Sequence, residues 1–178
     1  MKVINLFGAP GVGKTTVRSG LFWQMKSAGL HVEEISEYAK YLLQIGQGWQ
    51  LEHDQLTLLS RQHHRQLVLR RAGLDFAVTD SPLLLCPFYA KAGYYPAFEA
   101  LTLQAHRAFD NANFFLTPSQ VGPDYDPRFR EPDGRRAQNL IRELQAYLTR
   151  LGVSYQPVEV GVDAPRLILD VLLRQNGG

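Results

Sequence analysis

The chain has 178 residues and a formal net charge of +2, with 45% hydrophobic and 20% charged residues. This length suits about one domain with its own core, and the small net charge argues against a dedicated nucleic-acid binder. No apolar run reaches the roughly 20 residues that a membrane-spanning helix needs. A single cysteine, Cys86, excludes an internal disulfide, so we expect a cytoplasmic protein without a cleaved signal peptide.

Strand and helix patterns alternate along the chain. We predict strands at Lys2–Phe7, His31–Ile35, Asp75–Thr79, Asn113–Thr117 and Ser154–Val160. We predict helices at about Gly13–Ala28, Ser36–Leu43, Glu52–Arg71, Pro96–Asp110, Arg136–Leu151 and Asp163–Arg174. The long third helix is expected to bury a face formed by Leu56, Leu59, His63 and Leu67. Such alternation predicts a three-layer α/β sandwich in which helices cover both faces of a five-stranded parallel sheet.

The segment Gly8–Thr15 fits the pattern G-x-x-x-x-G-K-[ST] at each fixed position, between an apolar strand and an amphipathic helix. Glycines let backbone N–H groups turn toward phosphate oxygens, and the helix N-terminus adds partial positive charge. We expect Lys14 to reach the β- and γ-phosphates of ATP or another NTP, and the Thr15 hydroxyl to bind Mg²⁺. The predicted nucleotide-binding residues are Gly8, Ala9, Pro10, Gly11, Val12, Gly13, Lys14, Thr15 and Thr16.

Two carboxylates follow predicted strands, where ligands bind in open α/β sheets. Asp80 ends the third strand and can hold Mg²⁺ directly or through water, and it can also cap the segment that follows. Glu37 comes after the second strand. Its carboxylate can accept the proton of an acceptor hydroxyl, or it can be a first-turn acid that favours the helix dipole. The residues alone leave both alternatives for Glu37 open.

An arginine-rich loop spans residues 118–136. Guanidinium groups stabilise the negative charge of a phosphoryl group in transfer, and a closing loop excludes water. The candidate catalytic arginines are Arg128, Arg130 and Arg135, with Arg136 as a weaker candidate. The alternative is a solvated loop whose arginines pair with its own acids, Asp124, Asp126, Glu131 and Asp133.

Several features carry weaker signals. Adjacent side chains on a helix point to different faces, so His63 and His64 do not predict a metal pair. We expect Cys86 to be a small core residue. Gln62 and Arg65 can face an acceptor, but the sequence alone does not show where their side chains lie. An aromatic-rich stretch is expected to pack in the core, with lining of an acceptor pocket as the alternative; it contains Phe88, Tyr89, Tyr94, Tyr95 and Phe98.

The order of these motifs resembles P-loop kinases of the nucleoside and nucleotide kinase type. It comprises the phosphate loop, Ser36-Glu37-Tyr38-Ala39-Lys40, a glutamine- and arginine-bearing helix, Thr79-Asp80-Ser81, and the basic loop before Leu140–Leu151. The chain is similar to ribosylnicotinamide-kinase-like domains of bacterial NAD-salvage regulators and to small phage-encoded kinases. The resemblance covers nearly the whole chain. One departure is Asp80-Ser81-Pro82, which stands where nucleoside kinases have Asp-Arg-Ser.

The resemblance implies a P-loop NTPase fold with sheet order 2-3-1-4-5. It also implies a single kinase domain over residues 1–178 whose lid is the loop at about 118–136. By position, Glu37 matches the acid that such kinases place near the acceptor hydroxyl. Asp80 matches their acid after the third strand, and the loop arginines match the arginines of their lid.

The leading interpretation is an ATP- and Mg²⁺-dependent kinase that transfers the γ-phosphate to a hydroxyl of a nucleoside, nucleotide or nucleotide-like acceptor. One alternative is a kinase acting on DNA, for example on a hydroxymethylated pyrimidine base in phage DNA, in which case the location is the host cytoplasm. A second alternative is a partner-coupled ATPase or switch. No membrane partner is expected, and both a monomer and a homodimer stay open.

Overall fold

The computed structural model describes residues 1–118 and 134–176, and their side chains except those of residues 134–136 and 175–176. In this part of the chain the elements are, in order, β1 (Lys2–Phe7), α1 (Lys14–Ser27), β2 (Val32–Ile35), α2 (Tyr38–Gln44), α3 (Gln50–His53), α4 (Gln55–Arg71), β3 (Phe76–Thr79), α5 (Leu85–Tyr89), α6 (Phe98–Arg107), β4 (Asp110–Thr117), α7 (Gly134–Arg150), β5 (Gln156–Glu159) and α8 (Ala164–Asn176). None of the described helices combines the length and the apolar character needed to cross a membrane.

The five strands form one sheet in the order β2-β3-β1-β4-β5, and all four pairings are parallel. This confirms the predicted order. Thr79 is level with Asn5 on one neighbour and with Ile35 on the other. The carboxyl ends of β1, β2 and β3 therefore meet at one edge of the sheet, and the segments that follow them begin there.

Helices cover both faces of the sheet, because strand side chains alternate between the two faces. Ile4 and Leu6 belong to a core cluster shared with α1 and α8. Phe7 and Phe115 point to the other face, into a cluster shared with α5 and α7. Each fully buried side chain of this size stabilises the fold by roughly 1.5–3 kcal/mol. The three-layer α/β sandwich predicted from the alternation is confirmed.

The prediction of one helix over Glu52–Arg71 is wrong, because the segment is broken at Asp54. The Asp54 carboxylate accepts a hydrogen bond from the backbone N–H of Thr57 at 3.2 Å and so caps α4 at its N-terminus. An N-cap aspartate satisfies a helix donor that has no partner within the helix. The cap starts α4 anew after the single turn of α3.

The buried face of α4 also differs from the prediction. Leu59 is buried as expected, but Leu56 is 40% exposed, and the buried residues are Gln55, Leu58, Leu59, Gln62, Gln66 and Leu69. Glutamine can be buried where its amide is hydrogen-bonded. The Gln62 side chain donates to the Ser36 carbonyl at 3.2 Å, which ties α4 to the end of β2. An apolar pattern cannot reveal a face built on buried amides.

Strand β4 begins at Asp110, three residues before the predicted start. Its first residues pair with β1 from the Lys2–Asp110 position onward, although they are polar. The buried Asn5 side chain donates to Asn111 Oδ1 at 2.9 Å and to Asn113 Oδ1 at 3.0 Å. Amide contacts across two strands thus replace the apolar contacts on which the prediction relied.

Candidate active site

The phosphate loop follows β1 directly and takes a backbone shape that requires glycine. Gly8 has φ 150°, and a Cβ there would lie 2.9 Å from the Leu116 carbonyl oxygen. Gly13 has φ 100°, and a Cβ there would lie 3.0 Å from a methyl group of Val160. Any other residue at either position is strained. The loop therefore turns closely against β4 and the segment after β5 before α1 begins at Lys14.

The Lys14 side chain lies across this loop. Its Nζ donates to the carbonyl oxygens of Gly8 and Ala9, both at 2.9 Å. Burial lowers the pKa of Lys14, while the nearby Glu37 and Asp80 charges oppose that shift. An ammonium group has three donors, and two of them are used here on loop carbonyls. Lys14 is thus held at the centre of the loop, beside two carboxylates.

Asp80 lies directly after β3 and is 1% exposed. Its Oδ2 accepts a hydrogen bond from the Thr15 hydroxyl at 2.8 Å. Its Oδ1 accepts one from Arg18 Nη1, also at 2.8 Å. Arg18 additionally donates through Nε to Glu34 at 3.1 Å. The arginine therefore orients Asp80 so that its second oxygen faces Thr15.

Sequence reasoning did not select Arg18, although the chain carries a signal for it. Arg18 continues the buried stripe formed by Leu21 and Met25 on α1 at helical spacing. A charged residue in such a stripe needs a partner of opposite charge, because an unpaired buried charge is very costly. The partners, Glu34 and Asp80, come from β2 and the end of β3.

The pair Thr15 and Asp80 fits a magnesium ion in its donor chemistry. Both side chains offer oxygen atoms, which are the ligands that Mg²⁺ prefers, and those atoms lie 2.8 Å apart. Within residues 1–118 and 134–176, no group of three or more His, Cys, Asp or Glu residues could hold a metal by itself. Mg²⁺ is usually held by one or two protein carboxylates and completes its shell with phosphate oxygens and water.

Glu37 lies between β2 and α2, at the N-cap position of α2, so this helix begins two residues after the predicted start at Ser36. Its side chain makes no cap hydrogen bond, so capping does not account for its place. Burial raises the pKa of Glu37, and the opposing charge of Lys14 is the next largest influence on it. The structure thus places the Glu37 carboxyl where the charges of Lys14 and Asp80 act on it.

An open cavity of about 360 Å³ adjoins Glu37, between the end of β2 and the helices α2 and α4. Gln62 and Arg65, which the sequence could not place, both line it. The full lining is Glu34, Ile35, Ser36, Glu37, Tyr38, Tyr41, Arg61, Gln62 and Arg65. A cavity with aromatic, acidic and basic groups next to a phosphate loop can hold a small polar molecule.

Other predicted residues lie elsewhere. Arg128 and Arg130 fall outside the described residues, as does the side chain of Arg135 within α7. Cys86 is buried in the core as predicted, and burial raises the pKa of its thiol to about 12. In the aromatic stretch, Tyr94 packs on Phe98 with ring centres 5.0 Å apart. That pair supports the core-packing interpretation for this part of the stretch. Core packing is wrong for Tyr89 and Tyr95, which are 39% and 62% exposed.

Residues 3–164 match the family described as AAA domain. No curated protein matches the sequence. Among solved structures, the Mycobacterium tuberculosis APS kinase CysC in complex with AMPPNP and APS is 16% identical, with a TM-score of 0.54 over 99% of this chain and 98% of that one. The NadR protein in complex with NAD and AMP-PNP is 14% identical, with a TM-score of 0.65 over 99% of this chain and 50% of that one.

This chain therefore spans about half the length of the NadR chain. At such identities the likeness to both solved structures establishes the fold. The predicted P-loop NTPase fold is confirmed by these structures together with the family match.

Proposed function

The chain belongs to the AAA domain family, and from this premise we propose that it is an ATP- and Mg²⁺-dependent kinase. It transfers the γ-phosphate to a hydroxyl of a nucleoside, nucleotide or nucleotide-like acceptor. The observation that carries the proposal is the position of Glu37. This carboxyl lines an open cavity and at the same time lies close enough to Lys14 for each charge to shift the pKa of the other group.

The phosphate loop supplies the donor side of the reaction. When ATP binds, Lys14 gives up its hydrogen bonds to the Gly8 and Ala9 carbonyl oxygens and donates to the β- and γ-phosphates instead. The glycine-rich backbone contributes N–H donors to the phosphates. Thr15 and Asp80 would hold Mg²⁺, which when bound supplies positive charge to the phosphate oxygens. Both similar solved structures contain AMP-PNP, an ATP analogue, which supports ATP as the donor.

Glu37 supplies the acceptor side. Its carboxylate takes the proton of the acceptor hydroxyl as that oxygen forms a bond to the γ-phosphorus. The bond between the γ-phosphorus and the β,γ-bridging oxygen breaks, and ADP leaves. A carboxyl whose pKa is raised by burial is a better proton acceptor than an ordinary one. The arginines Arg128, Arg130 and Arg135 stay candidates for stabilising the phosphoryl group.

The test is phosphate transfer from labelled ATP with Mg²⁺ into separate pools of nucleosides, nucleotides, plain DNA and hydroxymethylated DNA. We expect label in a small-molecule pool, and loss of that label in Lys14→Ala. Label in a DNA pool alone would support a kinase acting on DNA. Rapid ATP hydrolysis at a rate that none of the acceptor pools alters would support the partner-coupled ATPase and overturn the kinase function.

A further inference from the structure

The cavity beside Glu37 carries two arginines that the phosphate-transfer chemistry does not use. We propose that the acceptor is a mononucleotide that presents its existing phosphate to Arg61 and Arg65 and a free hydroxyl to Glu37. The inference rests on the proposed kinase function and names the acceptor class of the same site.

Arg61 and Arg65 lie four residues apart on α4 and so occupy one face of that helix. Both line the cavity, and both are exposed. Neither forms an ion pair with an Asp or Glu in residues 1–118 or 134–176. The lining acid Glu34 is already paired with Arg18. Among the described residues, this wall of the cavity therefore offers two cations without an ion-pair partner, which suits an anion.

The chemistry of the anion follows from the side chains. Guanidinium groups bind phosphate through paired hydrogen bonds, and they do so better than ammonium groups because of their planar fork. The Arg61 guanidinium carbon lies 4.4 Å from the centre of the Tyr38 ring, which restrains this side chain. Arg61 is thus partly pre-ordered at the cavity wall.

The aromatic part of the cavity suits a nucleobase. The Tyr38 and Tyr41 rings are 5.7 Å apart, with 30° between their planes. Tyr41 is 51% exposed. An exposed ring at the mouth of a charged cavity offers a face on which a flat heterocycle can stack. Arginine and aromatic groups together match the phosphate and the base of a single nucleotide.

In the proposed binding mode, the two groups of the acceptor meet different parts of the cavity lining. Arg61 and Arg65 of α4 bind the existing phosphate, and Glu37, which precedes α2, faces the free hydroxyl. The accepting group is therefore the hydroxyl and not the bound phosphate. The hydroxyl oxygen bonds to the γ-phosphorus, its proton passes to Glu37, and ADP leaves. The product carries two phosphates on separate hydroxyls.

The experiment compares acceptor pairs and variants. Adenosine, guanosine, cytidine, uridine, thymidine and nicotinamide riboside are each offered beside the corresponding 5′-monophosphate. We expect at least one monophosphate to be used with a kcat/KM about tenfold or more above that of its nucleoside. Arg65→Gln should raise the KM for that monophosphate about 10- to 100-fold, as expected for a lost hydrogen bond to a charged group. The KM for ATP and for the nucleoside should stay unchanged.

The matched control is Arg71→Gln, which removes the same charge from an exposed site on α4 outside the cavity. It should leave all kinetic constants within about twofold of the wild-type values, since exposed charges distant from a site contribute little to binding there. Arg61→Gln should behave as Arg65→Gln does, and Arg65→Lys should fall between Arg65→Gln and the wild type. A thermal unfolding midpoint for each variant separates lost binding from lost folding.

Four results would overturn the inference. One is equal use of a nucleoside and its monophosphate with no effect of Arg65→Gln, in which case the kinase function stands. Another is a nucleoside diphosphate product, because the bound phosphate would then be the acceptor. A third is transfer to an oligonucleotide but to no mononucleotide. The last is transfer to no acceptor at all, which removes the kinase function as well.

Discussion

The Arg18 guanidinium and the Asp80 carboxylate lie 2.8 Å apart, and both residues are buried. The same arginine reaches Glu34 through a second nitrogen. One side chain from α1 thereby joins the end of β3 to β2, and it leaves the second oxygen of Asp80 for the Thr15 hydroxyl. Removing one partner of a buried ion pair is costly because the other charge stays buried and unpaired.

Arg18→Met should therefore lower the free energy of unfolding by about 3–5 kcal/mol. Urea unfolding at neutral pH measures this loss. The matched control on the same helix is Lys26→Met, which removes the exposed Lys26–Glu33 ion pair and should cost less than about 1 kcal/mol. Equal effects of the two substitutions would show that the Arg18 pairs contribute no more than a surface contact.

Lys14→Ala should lower the rate of phosphoryl transfer at least about 100-fold, because a cation aimed at the transferred phosphate is lost. The fold should persist, since the hydrogen bonds that Lys14 makes within the described residues go to the Gly8 and Ala9 carbonyls of its own loop. Labelled-ATP transfer and thermal unfolding are the two measurements. Transfer at a rate within twofold of the wild type would contradict the placement of the donor site.

Glu37→Gln should lower kcat by about 100- to 10,000-fold while the KM for ATP changes little. The proton acceptor must be ionised, and burial raises the pKa of Glu37. Turnover of the wild type should therefore fall as the pH drops through this raised pKa, at a higher pH than an ordinary carboxylate would give. The residual activity of Glu37→Gln should lack this decline. A profile of kcat against pH for both proteins decides between the two behaviours.

His106 should make the protein sensitive to acid. Burial, with a smaller contribution from Arg107, lowers the pKa of His106 in the folded state to about 4. Only the unfolded chain then takes up a proton as the pH falls from about 6.5, so stability is lost below that pH and down to about pH 4. At pH 5 the loss relative to neutral pH should be about 2 kcal/mol.

His106→Gln should remove this part of the acid sensitivity. Urea unfolding at pH 7 and pH 5 gives the difference for each protein, and the variant should lose about 2 kcal/mol less between them. The comparison between pH values within each protein cancels the cost of the substitution itself. An identical pH dependence in both proteins would mean that His106 is not held neutral in the folded state.

The amino-acid sequence alone determined the strand and helix alternation, the phosphate loop at Gly8–Thr15, and the two acids that follow strands. These features depend on local patterns: glycines where the backbone needs them, apolar runs that form strands, and the carboxyl ends of parallel strands. The sheet order came from the resemblance to P-loop kinases, and the structure confirms it. Roles for Arg128, Arg130 and Arg135 stay predictions, because these residues or their side chains lie outside the described part.

Only the tertiary structure decided which groups meet. Arg18 contacts Asp80, which lies 62 residues further along the chain. Arg61 and Arg65 of α4 share a cavity with Glu37, which lies just before α2. The break at Asp54 and the buried glutamines of α4 were likewise invisible in the apolar pattern. The physical reason is that a local pattern encodes the backbone of its own segment. Pairing of charges and amides from distant segments depends on how the helices pack around the sheet.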